Sequence, residues 1–317
     1  MSNLEARMAA LNAAANRSVA TSGTCIAAAL AAMENRIGKV TFTPSQSDPR
    51  YNWFAQAYQS LKKDLSLFRH GVGAEIDADA GLGSDGLKAA NAVLERAKAK
   101  KRLDDAGPKS AYIAAFCTYQ GKFEGGVEIM SADAFASHGV IGAAISADDN
   151  KIEFYEKDGL VVAIIKDSNG DSVMLYNAAA PTMLEEFTNG VNGAALMNLI
   201  RASWNPIKRA GVAFPKSTFD VEPDVSYFVD NKFTVGGVDG TWVQAIKQAK
   251  FAMDHLGYKA EVVFAAAAVL ESMSFEPDLS DYLVFPGNTP LAVILHRPGA
   301  VHAHFGAIVS PNDFVKK

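Results

Sequence analysis

Apolar positions recur every three to four residues over the first third of the chain and every two over much of the rest. That change of period predicts a helical start followed by a sheet-rich body. Helical spacing runs through Leu4 to Ala15, then through Ile26, Ala29, Leu30 and Met33 behind the capping signal Ser22-Gly23-Thr24. It returns from Tyr51 to Leu67 through Trp53, Phe54, Ala57, Tyr58, Leu61 and Leu65. A fourth helix is predicted on Leu87, Ala90, Leu94 and Ala97, with Ser84 or Asp85 as cap and Lys98, Lys100, Lys101 and Arg102 complementing its C-terminal dipole.

From Ser110 the period shortens. Tyr112 to Tyr119 reads as a buried strand, and Lys151 to Leu175 as a meander turning at Asp158-Gly159 and Asn169-Gly170. Helical spacing is predicted again over Thr182 to Thr188 and Gly193 to Trp204, and strands over Gly211 to Phe219 and Val225 to Val235. A further helix is predicted on Trp242, Ala245, Ile246, Ala249, Met253 and Leu256, with Gly257 as a left-handed cap. Ala260 to Leu270 is apolar, Glu276 to Asp281 reads as a loop, and Phe285 to Pro311 as two apolar strands joined at Arg297-Pro298-Gly299. No repeat or low-complexity linker interrupts this order, so the expectation is one α+β domain spanning residues 1–317.

Composition narrows the function classes. With 35 acidic and 30 basic side chains, a net charge of -5 and a pI near 5.7, the chain lacks the concentrated positive charge that nucleic acid or an anionic membrane would need. Met1 to Ala20 has neither the basic start nor the apolar middle of a secretory signal, so the expected location is the cytoplasm or a non-secreted assembly. Cys25 and Cys117 sit inside apolar runs, which predicts buried free thiols.

Candidate chemistry is sparse. Gly81-Leu82-Gly83-Ser84-Asp85-Gly86 has the glycine spacing of a dinucleotide loop, but the strands that such a site needs are not predicted around it, and a flexible connection with a helix cap is the expected role. Asp77, Asp79 and Asp85 would suit calcium, except that Lys88 stands where an EF-hand places its bidentate Glu, so a solvated acidic loop is expected. His296, His302 and His304 could approach one another, with His302 and His304 on one face of a strand, but no Cys, Asp or Glu nearby completes a metal set. Nucleophile-elbow, zincin, phosphate-loop and Cys-x-x-Cys motifs do not occur, so no enzyme and no cofactor are predicted.

Five segments in order resemble the serpins. Phe285 to Pro311 is similar to their closing hairpin, and Ser22-Gly23-Thr24-Cys25-Ile26 with Ala29-Leu30-Ala31 to the start of their second helix. Ala115 to Phe123 is similar to the Asn-Ala-x-Tyr-Phe-Lys-Gly-x-Trp strand end, keeping the aromatic residue and Gly but not Asn, Lys or Trp. Val127 to Met130 follows as a Val-x-Met-Met segment does, and Ser172-Val173-Met174-Leu175 with Leu184 to Thr188 matches a strand and helix further on. The resemblance implies a large central mixed or antiparallel sheet, a second sheet packed behind it and an N-terminal helical layer. It also makes His296 the counterpart of a structural turn histidine.

In an inhibitory serpin a main-sheet strand leads through a Glu-Gly-Thr hinge and an alanine run into a long exposed loop, which a protease cuts and which then inserts as a new strand. Two registers compete here. In one, Ala265, Ala266, Ala267 and Ala268 are the hinge alanines, preceded by Val262-Val263-Phe264, with cleavage near Glu276. In the other, the helix ending at Gly257 makes Ala260 to Glu276 the main-sheet strand and leaves almost no loop before Phe285. Both depart from an inhibitor, so the expectation is a non-inhibitory scaffold or interaction protein with protein partners, self-assembly included. The alternative is an intracellular protease inhibitor acting around Glu271, Glu276 and Pro277.

Overall fold

The computed structural model describes residues 18–45, 49–177, 193–222, 226–261 and 278–317. Of the expected helices, those at Leu4 to Ala15 and Thr182 to Thr188 lie outside these residues, as do the hinge candidates Ala265, Ala266, Ala267, Ala268, Glu271, Glu276 and Pro277.

The chain opens with strand β1 (Val19–Thr21) and helix α1 (Gly23–Arg36), whose N-cap Ser22 accepts the Cys25 amide as its sequence predicts. A short β2 (Val40–Phe42) leads to α2 (Pro49–Asp64). Then come β3 (Ile76–Leu82), α3 (Gly83–Arg96) and the long β4 (Ala111–Lys122). Along β4 the pleat sends Tyr112 and Ala114 against Ala90 and Val93 of α3, and Ile113 and Cys117 to the opposite side. Next are β5 (Val127–Ile129), the single turn α4 (Asp133–Ala136) and β6 (Gly142–Ser146). The predicted meander is β7 (Ile152–Lys157), β8 (Leu160–Lys166) and β9 (Ser172–Asn177), followed by α5 (Gly193–Ser203), β10 (Asn205–Ile207), β11 (Gly211–Pro215) and β12 (Ser217–Val221).

Residues 226–228 form one 3-10 turn, so only the end of the strand expected over Val225 to Val235 forms, as β13 (Lys232–Val235), which pairs with β14 (Val238–Thr241). The predicted helix after Trp242 is absent. Residues 242–248 have no regular structure, and β15 (Ala249–Asp254) and β16 (Gly257–Glu261) form a hairpin. Ala249, Phe251 and Met253 bury on alternate positions, and this period of two wins because both edges of the hairpin find partner strands. The chain closes with β17 (Tyr282–Val284), β18 (Leu291–His296) and β19 (Phe305–Val309).

Among the described residues four sheets form, in the orders β1-β19-β18-β9-β8-β7-β10, β12-β15-β16-β4-β3, β17-β11-β6-β5 and β14-β13-β2. The main core fills the space between the first two with Phe251, Tyr258, Leu295, Phe305 and Tyr119 among its members. On the far side of the seven-stranded sheet, Ile294, Ile164 and Met174 pack against Leu196, Met197 and Ile200 of α5. Helices α1 and α2 share a third cluster that includes Leu30, Met33, Phe54 and Tyr58. This is the expected α+β arrangement. None of the helices is long and apolar enough to cross a membrane, among the described residues.

Strand β18 is buried at every position, the reason its sequence is apolar without alternation. Ile294 and Leu295 therefore serve different cores, and replacing either with Ala is expected to cost about 2–5 kcal/mol in urea unfolding. A cost confined to one of the two would show that one face of this strand is not packed.

Candidate functional site

The distinctive site is the middle of the five-stranded sheet. Strand β16 lies between β15 and β4 and is antiparallel to both, pairing Lys250–Asp254 on one side and Thr118–Lys122 on the other. β15 and β4 therefore run parallel to each other with β16 between them. The chain enters this position through a two-residue turn, His255-Leu256, with Asp254 Oδ1 accepting the Leu256 amide and the Phe123 amide bonding back to Leu256.

Glycine is required where the turn feeds β16. Gly257 has φ +146, and a Cβ there would lie 2.1 Å from the Gly121 carbonyl oxygen. Its role is thus a turn residue entering a strand, and not the helix cap its position suggests. Across from it, Tyr258 donates its hydroxyl to Asp167 Oδ2 at 2.8 Å, over Gly121, where a side chain would collide with both. Asp167 Oδ1 accepts the amides of Asn169 and Asp171, closing the β8–β9 turn. Burial pushes the Asp167 carboxyl above its usual range, the Tyr258 hydrogen bond opposes this, and the charge of Asp171 adds to it.

Asp171 in turn is held by Arg297, which reaches its two carboxylate oxygens at 3.1 and 2.9 Å, Glu75 at 2.8 Å and the Leu67 carbonyl at 3.0 Å. The guanidinium lies 4.3 Å from the centre of the Phe68 ring. One continuous path of polar contacts therefore runs from β16 through the β8–β9 turn and the β18–β19 connection to the residue preceding β3. The sequence marks Arg297 and Asn169-Gly170 only as turns; Tyr258, Asp167 and Glu75 carry no motif, and their meeting depends on the sheets being stacked.

Behind this path sits His304, fully enclosed, with its ring 4.5 Å from that of Tyr119 and 5.5 Å from that of Phe68. Neither ring nitrogen has a partner among the described residues, and burial holds its pKa well below the ordinary value. Its carbonyl accepts the Ser22 hydroxyl, tying the start of α1 to this sheet. His302 approaches Ser60 Oγ at 2.6 Å through Nε2, and its backbone amide donates to Asp64. His296 bonds the Ala300 carbonyl within the connecting turn, the structural role that the resemblance implies. The three histidines thus have separate surroundings. His302 and His304 precede β19 instead of sharing a strand face, and no metal-binding group of three or more His, Cys, Asp or Glu exists among the described residues.

The glycine-rich segment is also tighter than predicted. β3 runs directly into α3, whose N-cap position is Leu82 with no side-chain cap. Gly81 and Gly86 touch so closely that a Cβ on Gly86 would lie 2.2 Å from the Gly81 carbonyl carbon. A strand does precede the helix, but β4 returns antiparallel to it, which is not dinucleotide-binding topology. Asp77 and Asp79 lie on β3 and pair with Arg96 and Arg36, leaving only Asp85 of the proposed acidic loop fully exposed. Both cysteines are buried and free, as predicted.

No protein-family model and no curated protein matches the sequence. Among solved structures the chain is similar to thyroxine-binding globulin in complex with thyroxine, at 12% identity and a TM-score of 0.53, over 98% of this chain and 96% of that one. It is also similar to the thermophilic serpin tengpin, at 10% identity. The latent state gives a TM-score of 0.51 over 95% of this chain and 92% of that one, and the native state 0.50 over 92% and 88%. The fold is that of the serpins. Of the two registers set out from sequence, the helix ending at Gly257 on which the second rests is absent, Ala260 and Glu261 lie on the sheet strand β16, and residues 262–277, where the rest of both registers falls, lie outside the described residues.

Two outcomes follow. Gly257→Ala is expected to lower stability by about 2 kcal/mol or more, from strain and backbone collision together, as read by thermal or urea unfolding; an unchanged midpoint would remove this turn from the account. The second concerns pH. His304 has a folded pKa below its unfolded value of about 6.5, so its contribution is intact above that pH and is lost as pH falls, because the unfolded chain gains a proton that the folded chain resists. Between pH 6.5 and 5, His304→Phe should flatten the decline by about 1.4 kcal/mol per pH unit. His296 and His302, also shifted down by burial, remain in both proteins, and the ion-paired Glu75 and Glu153 titrate lower, so the difference isolates His304. Parallel stability curves would contradict a buried neutral imidazole.

Proposed function

We propose that this chain is a non-inhibitory protein of serpin fold, a scaffold that acts by binding other proteins, its own copies included, as a structural component of an assembly and without catalysis. The observation that carries the reading is β16. Serpin inhibition needs the segment after the main-sheet strand to be free for a protease and then to insert. In this chain the segment that follows β15 turns after two residues and already occupies the central position of the sheet, between β15 and β4.

The free energy that insertion would release is then largely spent in the starting structure. Moving β16 out would break its ladders to both neighbours, expose Tyr258 and Ala260 and leave Asp167 buried without its phenol donor. Physical economy favours a fixed sheet over a spring. The near-neutral, mildly acidic surface charge suits protein partners better than polyanions.

The test is incubation with a panel of serine and cysteine proteases, read by denaturing gel and by calorimetry after limited cleavage between residues 262 and 277. The expected result is no covalent protease complex and a melting temperature within a few degrees of the intact protein. A covalent complex, or a large rise in melting temperature on cleavage, would overturn the proposal in favour of an inhibitor.

A further inference from the structure

Two thiols from distant parts of the chain meet inside the main core. Cys25 lies in the first turn of α1, where the Ser22 hydroxyl fixes its amide, and its sulfur reaches the Ala115 carbonyl of β4 at 3.6 Å. Two residues further along β4 the pleat returns to the same face, so Cys117 is turned to the helix as well. Its thiol and its backbone amide both meet the Cys25 sulfur. Both side chains are buried and free, and the contact is direct, thiol to thiol.

The surroundings make the two unequal. The Cys117 thiol donates to the Cys25 sulfur, and together with the Lys247 ammonium this favours ionisation of Cys25 against the effect of burial. Cys117 is shifted the other way, well above the usual thiol range, by burial first and then by the charge at Cys25 that it would have to face. Tyr119, next on that face of β4, keeps its phenol proton through burial and the same two thiols. Lys247 is served in return: burial pulls its pKa down to about 8, and a thiolate at Cys25 opposes that pull. One sulfur is thus poised to attack, and its neighbour holds a proton to give away.

We propose that Cys25 and Cys117 form a redox couple that hydrogen peroxide closes to an internal disulfide, stapling α1 to β4. The Cys25 thiolate attacks one peroxide oxygen, the O–O bond breaks, and the departing hydroxide takes a proton from solvent, leaving Cys25 as a sulfenic acid. The Cys117 sulfur then attacks the Cys25 sulfur, the S–O bond breaks, and the hydroxide released leaves with the Cys117 proton as water. The two thiols together lose two electrons, and the peroxide is reduced to two waters. β4 is the strand that holds β16 along Thr118–Lys122, and Ser22 at the head of α1 is tied to the His304 carbonyl. The disulfide therefore joins the neighbour of β16 covalently to a helix already anchored at the β18–β19 connection.

The experiment treats the intact protein with a modest excess of hydrogen peroxide and reads intact mass, a non-reducing peptide map and calorimetry. The expected result is a loss of two hydrogens, a peptide joining Cys25 to Cys117 and a melting temperature higher by about 5 °C or more, all reversed by dithiothreitol. Cys117→Ser should stop at a dimedone-reactive sulfenic acid on Cys25, whereas Cys25→Ser should leave Cys117 reduced. Lys247→Met should move the pH midpoint of the Cys25 reaction upward, which lost packing alone does not do. Oxygen addition without the cross-link, a disulfide between copies, unreacted thiols, a cross-link that leaves the melting temperature unchanged, or an unmoved midpoint in folded Lys247→Met would each overturn the proposal. The wild-type mass and melting temperature decide it should a variant not fold.

Discussion

The Arg297 guanidinium holds together parts of the chain that local structure alone would not bring into contact. It joins the connection between β18 and β19 to the β8–β9 turn at Asp171, to Glu75 before β3 and to the carbonyl of Leu67, while its plane rests on Phe68. Burial by itself would weaken its hold on the proton; the hydrogen bonds of Asp171 and Glu75 outweigh that and raise its pKa. Such an ion cluster is poor evidence for net stability, because desolvation offsets much of the attraction. Its consequence is geometric. A fork making four hydrogen bonds in fixed directions restricts the relative placement of the seven-stranded and five-stranded sheets.

That placement decides whether β16 can be held. Tyr258 reaches Asp167 on a turn that Arg297 holds at Asp171 and that Asn169 ties to the Gln120 carbonyl of β4, and the approach is close enough that position 121 must be glycine. The five-stranded sheet is antiparallel throughout with β16 present. Every residue of β16 has ladder partners on both edges, so the hairpin is a central element of the sheet and not a fringe.

How much of this could be read in advance follows from how local each determinant is. The α1 cap at Ser22, the meander turns at Asp158-Gly159 and Asn169-Gly170 and the doubly buried β18 depend on a few neighbouring residues, and the sequence announces them. Trp242 to Leu256 misled because Trp242, Ala245, Ile246, Ala249 and Met253 satisfy helical spacing, while the competing period of Ala249, Phe251 and Met253 covers only six residues. Tertiary pairing on two edges settled a contest that local spacing left balanced. Tyr258, Asp167 and Glu75 are distant in sequence and individually ordinary, and no one-dimensional pattern encodes their meeting.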